Sequence, residues 1–111
     1  MDRIRIRQER REDYDEVYQL IQEAFRTAEH ADGNEQDLVA ALRKGRAFIP
    51  ELSLVAEVEG QLAGHILFTR AKVGEREVLA LAPLSVRPAY QRQGVGTELI
   101  REGHRIAREL G

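Results

Sequence analysis

The spacing of the apolar residues changes near Pro50, which indicates helices before this residue and β-strands after it. Before Pro50 the apolar residues recur every three to four positions, which predicts an amphipathic helix over 12–28 and a second helix over about 35–44, capped at Gly45. Their apolar faces consist of Val17, Leu20, Ile21, Ala24, Phe25 and Ala28 in the first helix and Leu38, Val39 and Leu42 in the second. The segment 30–34 between them has the composition of a turn.

Beyond Pro50 the pattern is typical of β-strands joined by tight turns. The predicted strands are 52–58, 62–73 and 78–86, with turns at 59–61 and 74–77. Pro83 lies inside the third strand, where it cannot donate a ladder hydrogen bond, so a bulge or a splayed strand is expected there. The pattern then predicts a loop over 88–96 and a helix over 97–110, with Gly111 in the position of a C-cap glycine.

Isoleucine and arginine alternate from Arg3 to Arg7, as in a strand with one buried face. The arginines are expected to face solvent on an edge strand, where charge discourages the addition of a second chain. A nucleic-acid surface is the alternative, but it needs interleaved aromatic residues, and the chain has 5% aromatic residues and a net charge of −2. Nucleic acid is therefore not an expected partner.

The composition is that of a soluble protein with one domain. Of its 111 residues, 42% are hydrophobic and 32% are charged, and none is cysteine, which suits a reducing compartment. The N-terminus lacks the apolar core of a signal peptide, and no apolar run approaches the roughly 20 residues that span a bilayer. We therefore expect a cytoplasmic protein with no membrane partner.

A glycine-rich loop at 91–96 joins the last predicted strand to the last helix. Glycine lets a ligand approach the backbone, and the unpaired N–H groups and dipole of a helix start attract anions. Arg92 adds a mobile positive charge, and Thr97 can cap the helix or bond a phosphate oxygen. A Walker loop would need Gly-Lys-Ser/Thr, and a dinucleotide loop would need glycine in place of Leu99. A turn that serves only helix entry is the remaining alternative.

The residues around this loop resemble motif A of the GNAT acetyltransferases. The matching stretch reads Leu84-Ser85-Val86-Arg87-Pro88-Ala89-Tyr90-Gln91-Arg92-Gln93-Gly94-Val95-Gly96-Thr97. The family pattern is a strand ending in hydrophobic-x-Val-x-Pro-x-Tyr, then Gln/Arg-x-x-Gly-x-Gly/Ala, then a helix, and each element occurs here at the matching spacing. The preceding strand, two helices and three strands also resemble the N-terminal half of the family, so the resemblance covers essentially the whole chain.

The resemblance implies an α/β (α+β) domain with a mixed sheet and the element order β-α-α-β-β-β-α. The family continues with a further strand, a helix and a hairpin, and this sequence has no residues left for them after Gly111. Residues 1–111 are therefore expected to form a single, C-terminally truncated acetyltransferase domain. A truncated chain, a partial gene product, and a protomer completed by another chain, as in a homodimer, all remain open.

The resemblance also implies an N-acetyltransferase that transfers the acetyl group of acetyl-CoA to a primary amine by direct attack, without a metal. A non-catalytic acyl-CoA-binding module, or an inactive fragment, is the alternative. The residues expected to bind acetyl-CoA are Leu84, Ser85, Val86, Gln91, Arg92, Gln93, Gly94, Val95, Gly96 and Thr97. The first three would pair with the pantetheine arm, a backbone N–H near Leu84 would bind the acetyl carbonyl, and the loop amides would hold the pyrophosphate.

No catalytic acid or base is assigned from the sequence, and the amine acceptor is not identified. The apolar strand before the loop has no carboxylate, and Glu77 at its border is expected to be a turn residue. His65 lies in another apolar strand and is expected to be a buried, hydrogen-bonded residue rather than a catalytic one. The other histidines and the tyrosines are expected to face solvent or to pack, namely His30, His104, Tyr14, Tyr18 and Tyr90.

Overall fold

A computed structural model of the chain describes residues 4–26 and 35–110. In chain order the elements are β1 (Ile4–Gln8), α1 (Tyr14–Phe25), α2 (Glu35–Leu42), β2 (Phe48–Val58), β3 (Gln61–Val73), β4 (Arg76–Val86) and α3 (Val95–Leu110). Short 3-10 turns precede α1 at Arg11–Asp13 and follow β4 at Pro88–Tyr90. The predicted order of elements is confirmed. The expected turn at 30–34, His30, Ala28, Arg3 and the cap at Gly111 lie outside the described residues.

The four strands form one sheet in the order β1-β2-β3-β4, and every neighbouring pair among the described strands is antiparallel. β1 is an edge strand, as the arginine pattern predicts, and β4 forms the opposite edge. Tight turns join β2 to β3 and β3 to β4, as expected, and left-handed φ angles at Gly60 and Gly74 make these reversals possible. The α/β fold class is confirmed. No described helix has the length and apolarity required to cross a membrane.

Two apolar cores place the helices on opposite faces of this sheet. On one face, which we call the α1–α2 face, Val17, Leu20, Ile21 and Val39 from the helices pack with Val55, Leu62 and Leu67. On the other, the α3 face, Val95 and Leu99 pack against Leu54, Ala56, Ile66 and Phe68. α3 lies so close to the sheet that a Cβ added at Gly103 would be 2.3 Å from Phe68 Cε2. The molecule is therefore a three-layer sandwich with helices on both faces.

The bulge expected at Pro83 is present. Ile66 pairs with Leu84 and Phe68 pairs with Leu81, so one residue of β3 faces two residues of β4 at this point. A proline is tolerated there because the ladder is already interrupted. β2 begins at Phe48, earlier than the predicted residue 52, and therefore includes Pro50. The β2–β3 register shifts between Phe48 and Ser53, so the ladder is interrupted at Pro50 as well.

Two predictions about single side chains were wrong. Leu38 was expected on the buried face of α2, but it is 46% exposed, and Val39 carries the contact instead. Arg7 was expected in solvent, but only 15% of its side chain is exposed. Its guanidinium donates to Asp13 Oδ2 at 2.8 Å, to Asp13 Oδ1 at 3.0 Å and to Glu57 Oε2 at 2.8 Å. These two carboxylates compensate the buried charge, and neither is a sequence neighbour of Arg7.

Candidate active site at the end of β4

The glycine-rich loop has a conformation that depends on left-handed backbone angles. Arg92 has φ 65° and Gly94 has φ 88°. Two side-chain amides brace the loop, since Gln91 Nε2 donates to Val86 C=O at 3.1 Å and Gln93 Nε2 donates to Ala89 C=O at 3.1 Å. The loop is thereby attached both to the end of β4 and to the 3-10 turn that precedes it.

The N-terminus of α3 presents unpaired backbone donors. The helix begins at Val95, and its first i→i−4 hydrogen bond runs from Glu98 N–H to Gly94 C=O at 3.0 Å. In the described part of the chain, no acceptor with ordinary hydrogen-bond geometry receives the N–H groups of residues 95–97. A Cβ added at Gly94 would meet nothing within 4 Å, so the backbone is open to a ligand at this point. Thr97 is the third residue of α3, and the prediction that it caps the helix is therefore wrong.

The strand part of the predicted site lies at the open edge of the sheet. Arg87, the residue after β4, donates its N–H to Ala63 C=O of β3 at 2.8 Å. Because backbone groups of successive strand residues point to opposite edges, Val86 and Leu84 present theirs to the open edge, and Ser85 faces β3. Ser85 is 1% exposed. Its side chain, like that of Arg87, points to the α1–α2 face, while Leu84 and Val86 pack in the α3 core.

The fold brings the two parts of the predicted site together. A Cβ added at Gly96 would lie 3.5 Å from Leu84 Cδ2 and 3.9 Å from Val86 Cγ2, so the start of α3 packs on the end of β4. Val95 anchors this junction with 2% exposure, while Gln91, Arg92, Gln93 and Thr97 are exposed. An open strand edge therefore continues directly into a set of unpaired N–H groups.

Sequence reasoning missed a buried polar network under α1 and α2. Glu9 accepts hydrogen bonds from Ser53 Oγ at 2.7 Å and from Arg43 Nε at 3.1 Å, and Arg43 Nη2 donates to its second oxygen. Ser53 Oγ is 3.0 Å from His65 Nε2. Burial by itself would raise the pKa of the Glu9 carboxyl, but the nearby His65 and the hydrogen bonds from Arg43 and Ser53 lower the pKa to about 2. These partners are far apart in sequence, so no local sequence pattern predicts that they form a network.

A second ionic cluster lies between β4 and α1. The Arg87 guanidinium is 3.8 Å from Glu16 Oε2 and 3.6 Å from Glu23 Oε2, and 18% of the Arg87 side chain is exposed. The two glutamates are about half exposed and lie two helical turns apart on the same face of α1. The surface next to the end of β4 on the α1–α2 face is therefore acidic overall.

Of the remaining candidate side chains, two differ from expectation. Tyr18 was expected to pack but is 36% exposed, and Glu77 was expected in a turn but lies within β4, paired with Lys72. His65 is buried with 0% exposure and hydrogen-bonded, as expected. His104 is exposed on α3, and Tyr90 packs against the α3 core. Arg43 stacks on the Tyr14 ring at 4.0 Å, and Tyr18 donates to Asp37 Oδ1 at 2.9 Å. Within the described ranges, no three histidine, aspartate or glutamate side chains are grouped so that they could hold a metal ion.

An open strand edge, a bulge within that strand and a helix start with free donors together define an α/β domain with a site for an extended anionic ligand. A family profile described as "Acetyltransferase (GNAT) family" matches residues 11–111. The chain belongs to this family.

Individual relatives agree with this assignment. The uncharacterized N-acetyltransferase YjhQ of Escherichia coli K12 is 49% identical over 81 residues, which cover 69% of this chain and 45% of that protein. The chain thus spans less than half the length of this curated relative. A GNAT family acetyltransferase of Brucella melitensis, solved in complex with acetyl-CoA, is 41% identical with a TM-score of 0.88 over 97% of this chain and 70% of that one. Ard1 of Thermoplasma volcanium, 24% identical over 97% of this chain and 66% of its own, has the same fold with a TM-score of 0.70.

Proposed function

We propose that the protein is an N-acetyltransferase that moves the acetyl group of acetyl-CoA to a primary amine by direct attack. The observation that supports this proposal most strongly is that the open edge of β4 leads directly to the unpaired N–H groups at the start of α3. The proposed acetyl-CoA site comprises Leu84, Ser85, Val86, Gln91, Arg92, Gln93, Gly94, Val95, Gly96 and Thr97. The Brucella relative, which is 41% identical, was solved with acetyl-CoA bound, and this supports the same cosubstrate here.

The pyrophosphate of acetyl-CoA fits the loop for electrostatic and steric reasons. The free N–H groups of residues 95–97 and the α3 dipole supply positive potential, and the exposed Arg92 side chain can pair with a phosphate oxygen. The absence of a side chain at Gly94 leaves room for the anion to reach the backbone. The bonds from Gln91 to Val86 and from Gln93 to Ala89 hold the loop in this conformation before the ligand arrives.

The pantetheine arm and the thioester fit the strand. The arm carries amide groups that can pair with the outward N–H and C=O groups of Val86 and Leu84 as an additional strand does. The bulge opposite Leu67 bends β4 next to this segment, which opens space at the edge. The outward N–H of Leu84 then donates to the acetyl carbonyl and stabilises the negative charge that develops on it.

The amine acceptor must lose a proton before or during attack. Alkyl amines resemble lysine, whose pKa is about 10.4, so they are mostly protonated at neutral pH. The neutral amine attacks the thioester carbon, a tetrahedral intermediate forms, and the C–S bond breaks to release the CoA thiolate. The acidic surface formed by Glu16 and Glu23 suits a cationic acceptor next to the end of β4.

We also propose a cytoplasmic setting, which suits the absence of cysteine, and a longer functional domain to which residues 1–111 contribute the N-terminal part. The chain covers 70% of the Brucella structure, and the outer edge of β4 would accept a further strand. The exposed apolar side chains of Val78, Leu79 and Leu81 lie along this strand. A second copy of the chain, as in a homodimer, is the alternative source of that strand.

Calorimetric titration with acetyl-CoA tests the proposal. Gly94→Glu puts a carboxylate where the pyrophosphate would lie and should weaken binding at least about tenfold, which equals about 1.4 kcal/mol. Gly74→Glu is the matched control, because both glycines have positive φ angles and open surroundings, with φ 88° at Gly94 and 64° at Gly74. Binding by the wild type and the control, lost only in Gly94→Glu, would support the site. Folded wild-type protein that does not bind acetyl-CoA would refute it.

A further inference from the structure

Two buried polar atoms on the adjacent strands β3 and β4 have no hydrogen-bond partner in the described part of the chain. His65 Nδ1 and Ser85 Oγ have no hydrogen bond within residues 4–26 and 35–110, although His65 is 0% exposed and Ser85 is 1% exposed. Their residues are direct cross-strand partners, and such a pair has Cβ atoms roughly 4.5–5.5 Å apart. Unsatisfied polar atoms at this depth are costly unless water bonds them, and two such atoms on one sheet face can share a water molecule.

The network around Glu9 determines which nitrogen of His65 carries its hydrogen. The Glu9 carboxyl, with a pKa of about 2, is ionised and can only accept, so the Ser53 hydroxyl must donate its single hydrogen to Glu9. Ser53 Oγ can then only accept from His65, which places a hydrogen on Nε2 at 3.0 Å. In neutral His65 the Nδ1 lone pair is therefore free to accept a hydrogen bond.

We propose that a water molecule bound between His65 Nδ1 and Ser85 Oγ makes His65 the proton acceptor for the amine substrate. This inference rests on the proposed acetyl transfer. Ser85 belongs to the segment of β4 that would hold the thioester, and its hydroxyl points to the α1–α2 face, where Arg87 meets the two glutamates of α1. His65 acts through the water rather than on the substrate, so it is a positioning residue.

The proton movement balances without another reactant. An N–H bond of the substrate ammonium breaks, its proton passes to the bound water, and a proton of that water passes to Nδ1. The freed amine forms the C–N bond, and the nitrogen of the tetrahedral intermediate releases its second proton to solvent. The C–S bond then breaks, and the imidazolium returns the first proton through the same water to the CoA thiolate, so that one proton is released overall. Glu9 Oε2 lies 3.7 Å from Nε2, and a carboxylate beside the second nitrogen is a usual way of orienting a catalytic imidazole.

The charges around His65 come from three elements and the loop after β1. Glu9 follows β1, and Arg43 follows α2 and offsets part of the Glu9 charge. Arg87 follows β4 and faces Glu16 and Glu23 of α1. Arg87 neutralises one of the two glutamates, so one negative charge remains on the surface of α1. This charge attracts the substrate ammonium and does not hinder the proton transfer to His65.

The first test is the nitrogen NMR spectrum of the His65 ring in the 111-residue chain. The neutral ring is expected to be the Nε2–H tautomer, with an unprotonated Nδ1. A ring with hydrogen on Nδ1, or one that stays an imidazolium to alkaline pH, would overturn the proposal. This measurement needs neither acetyl-CoA nor an acceptor, so it is independent of the proposed function.

The second test compares two nucleophiles, n-butylamine and hydrazine, with saturating acetyl-CoA. The assay is run at mildly alkaline pH, where hydrazine, which has a more acidic conjugate acid, is largely unprotonated while n-butylamine is still mostly protonated. His65→Gln and Ser85→Ala should each lower kcat with butylamine by about a hundredfold, within the usual range for loss of acid–base catalysis, and should change kcat with hydrazine much less. The milder Ser85→Ala change guards against a folding defect in His65→Gln. His104→Gln, at an exposed histidine, is the control and should leave both rates unchanged.

Calorimetry with acetyl-CoA separates the two proposals. Variants that bind acetyl-CoA like the wild type but lose turnover only with butylamine support the proton path. Equal losses with both nucleophiles point to a structural role for His65 and contradict it, as does an unchanged butylamine rate. If the wild type fails to bind acetyl-CoA, the proposed function falls and the tautomer result still decides the state of His65. If the wild type binds acetyl-CoA but acetylates neither nucleophile, both proposals are contradicted.

Discussion

Glu9→Gln removes the only formal negative charge in the buried network of Arg43, Ser53 and His65 as the structure describes it. The Glu9 side chain is 1% exposed and that of Arg43 is 10% exposed, so the guanidinium would be left buried without a counter-ion. Breaking a buried ion pair in this way typically costs about 3–5 kcal/mol. The pH dependence gives a separate figure. A carboxyl pKa that falls from 4.5 to about 2 on folding corresponds to about 3 kcal/mol at neutral pH.

The sign follows from the direction of that pKa change. Because the folded pKa lies below the unfolded value, the stabilisation by Glu9 is complete above pH 4.5 and is lost as the pH falls toward about 2. The difference between wild type and Glu9→Gln in free energy of unfolding should therefore be about 3 kcal/mol at pH 7 and should shrink steadily in acid. Other carboxylates also titrate in acid, but they do so in both proteins, so the difference isolates Glu9.

Urea denaturation at neutral and acid pH measures this difference. Glu51→Gln, at an exposed position of β2, is the matched control and should change the free energy of unfolding by no more than about 0.5 kcal/mol. A Glu9→Gln difference that is the same at pH 7 and in acid would contradict the electrostatic reasoning, because packing losses do not titrate. A difference below about 1 kcal/mol at pH 7 would contradict the burial argument.

Three further changes have expected outcomes. Gly103→Ala brings a Cβ to 2.3 Å from Phe68 Cε2 and should destabilise the protein by about 1–3 kcal/mol in urea denaturation. Asp13→Asn removes the charge that binds Arg7, and since that bond holds the pKa of the Asp13 carboxyl below its usual range, the loss of about 1–3 kcal/mol should diminish in acid. Gln91→Ala removes the brace to the end of β4 and should weaken acetyl-CoA binding about threefold to tenfold in calorimetry by loosening the loop.

Each of these changes has a matched control. Gly45→Ala adds a methyl group in ordinary contact, 3.5 Å from Leu42 O, and should be close to neutral. Asp15→Asn and Gln19→Ala alter exposed residues of α1 and should affect neither stability nor acetyl-CoA binding. A Gly103→Ala protein as stable as its control would mean that α3 can move off the sheet at no cost. Gln91→Ala with unchanged affinity would mean that the loop holds its conformation without the brace.

The sequence by itself determined the elements whose causes are local. Apolar period, turn residues and proline positions depend on neighbours within a few residues, so the order of helices and strands, the bulge at Pro83 and the edge position of β1 were all predictable. The glycine-rich loop belongs to the same category, because the left-handed φ of Gly94 and the free donors that start α3 arise from adjacent residues. The GNAT resemblance rested on this continuous stretch.

Only the tertiary structure decided which polar side chains meet. Glu9, Arg43, Ser53 and His65 come from four separate parts of the chain, and nothing in their local sequence marks them as partners. The burial of Arg7 was not predicted for the same reason. Alternation along β1 shows which side of the sheet a residue faces, but not whether carboxylates such as Glu57 and Asp13 lie on that side. Charges are buried where distant partners compensate them, and those partners become neighbours only when the sheet and helices have packed.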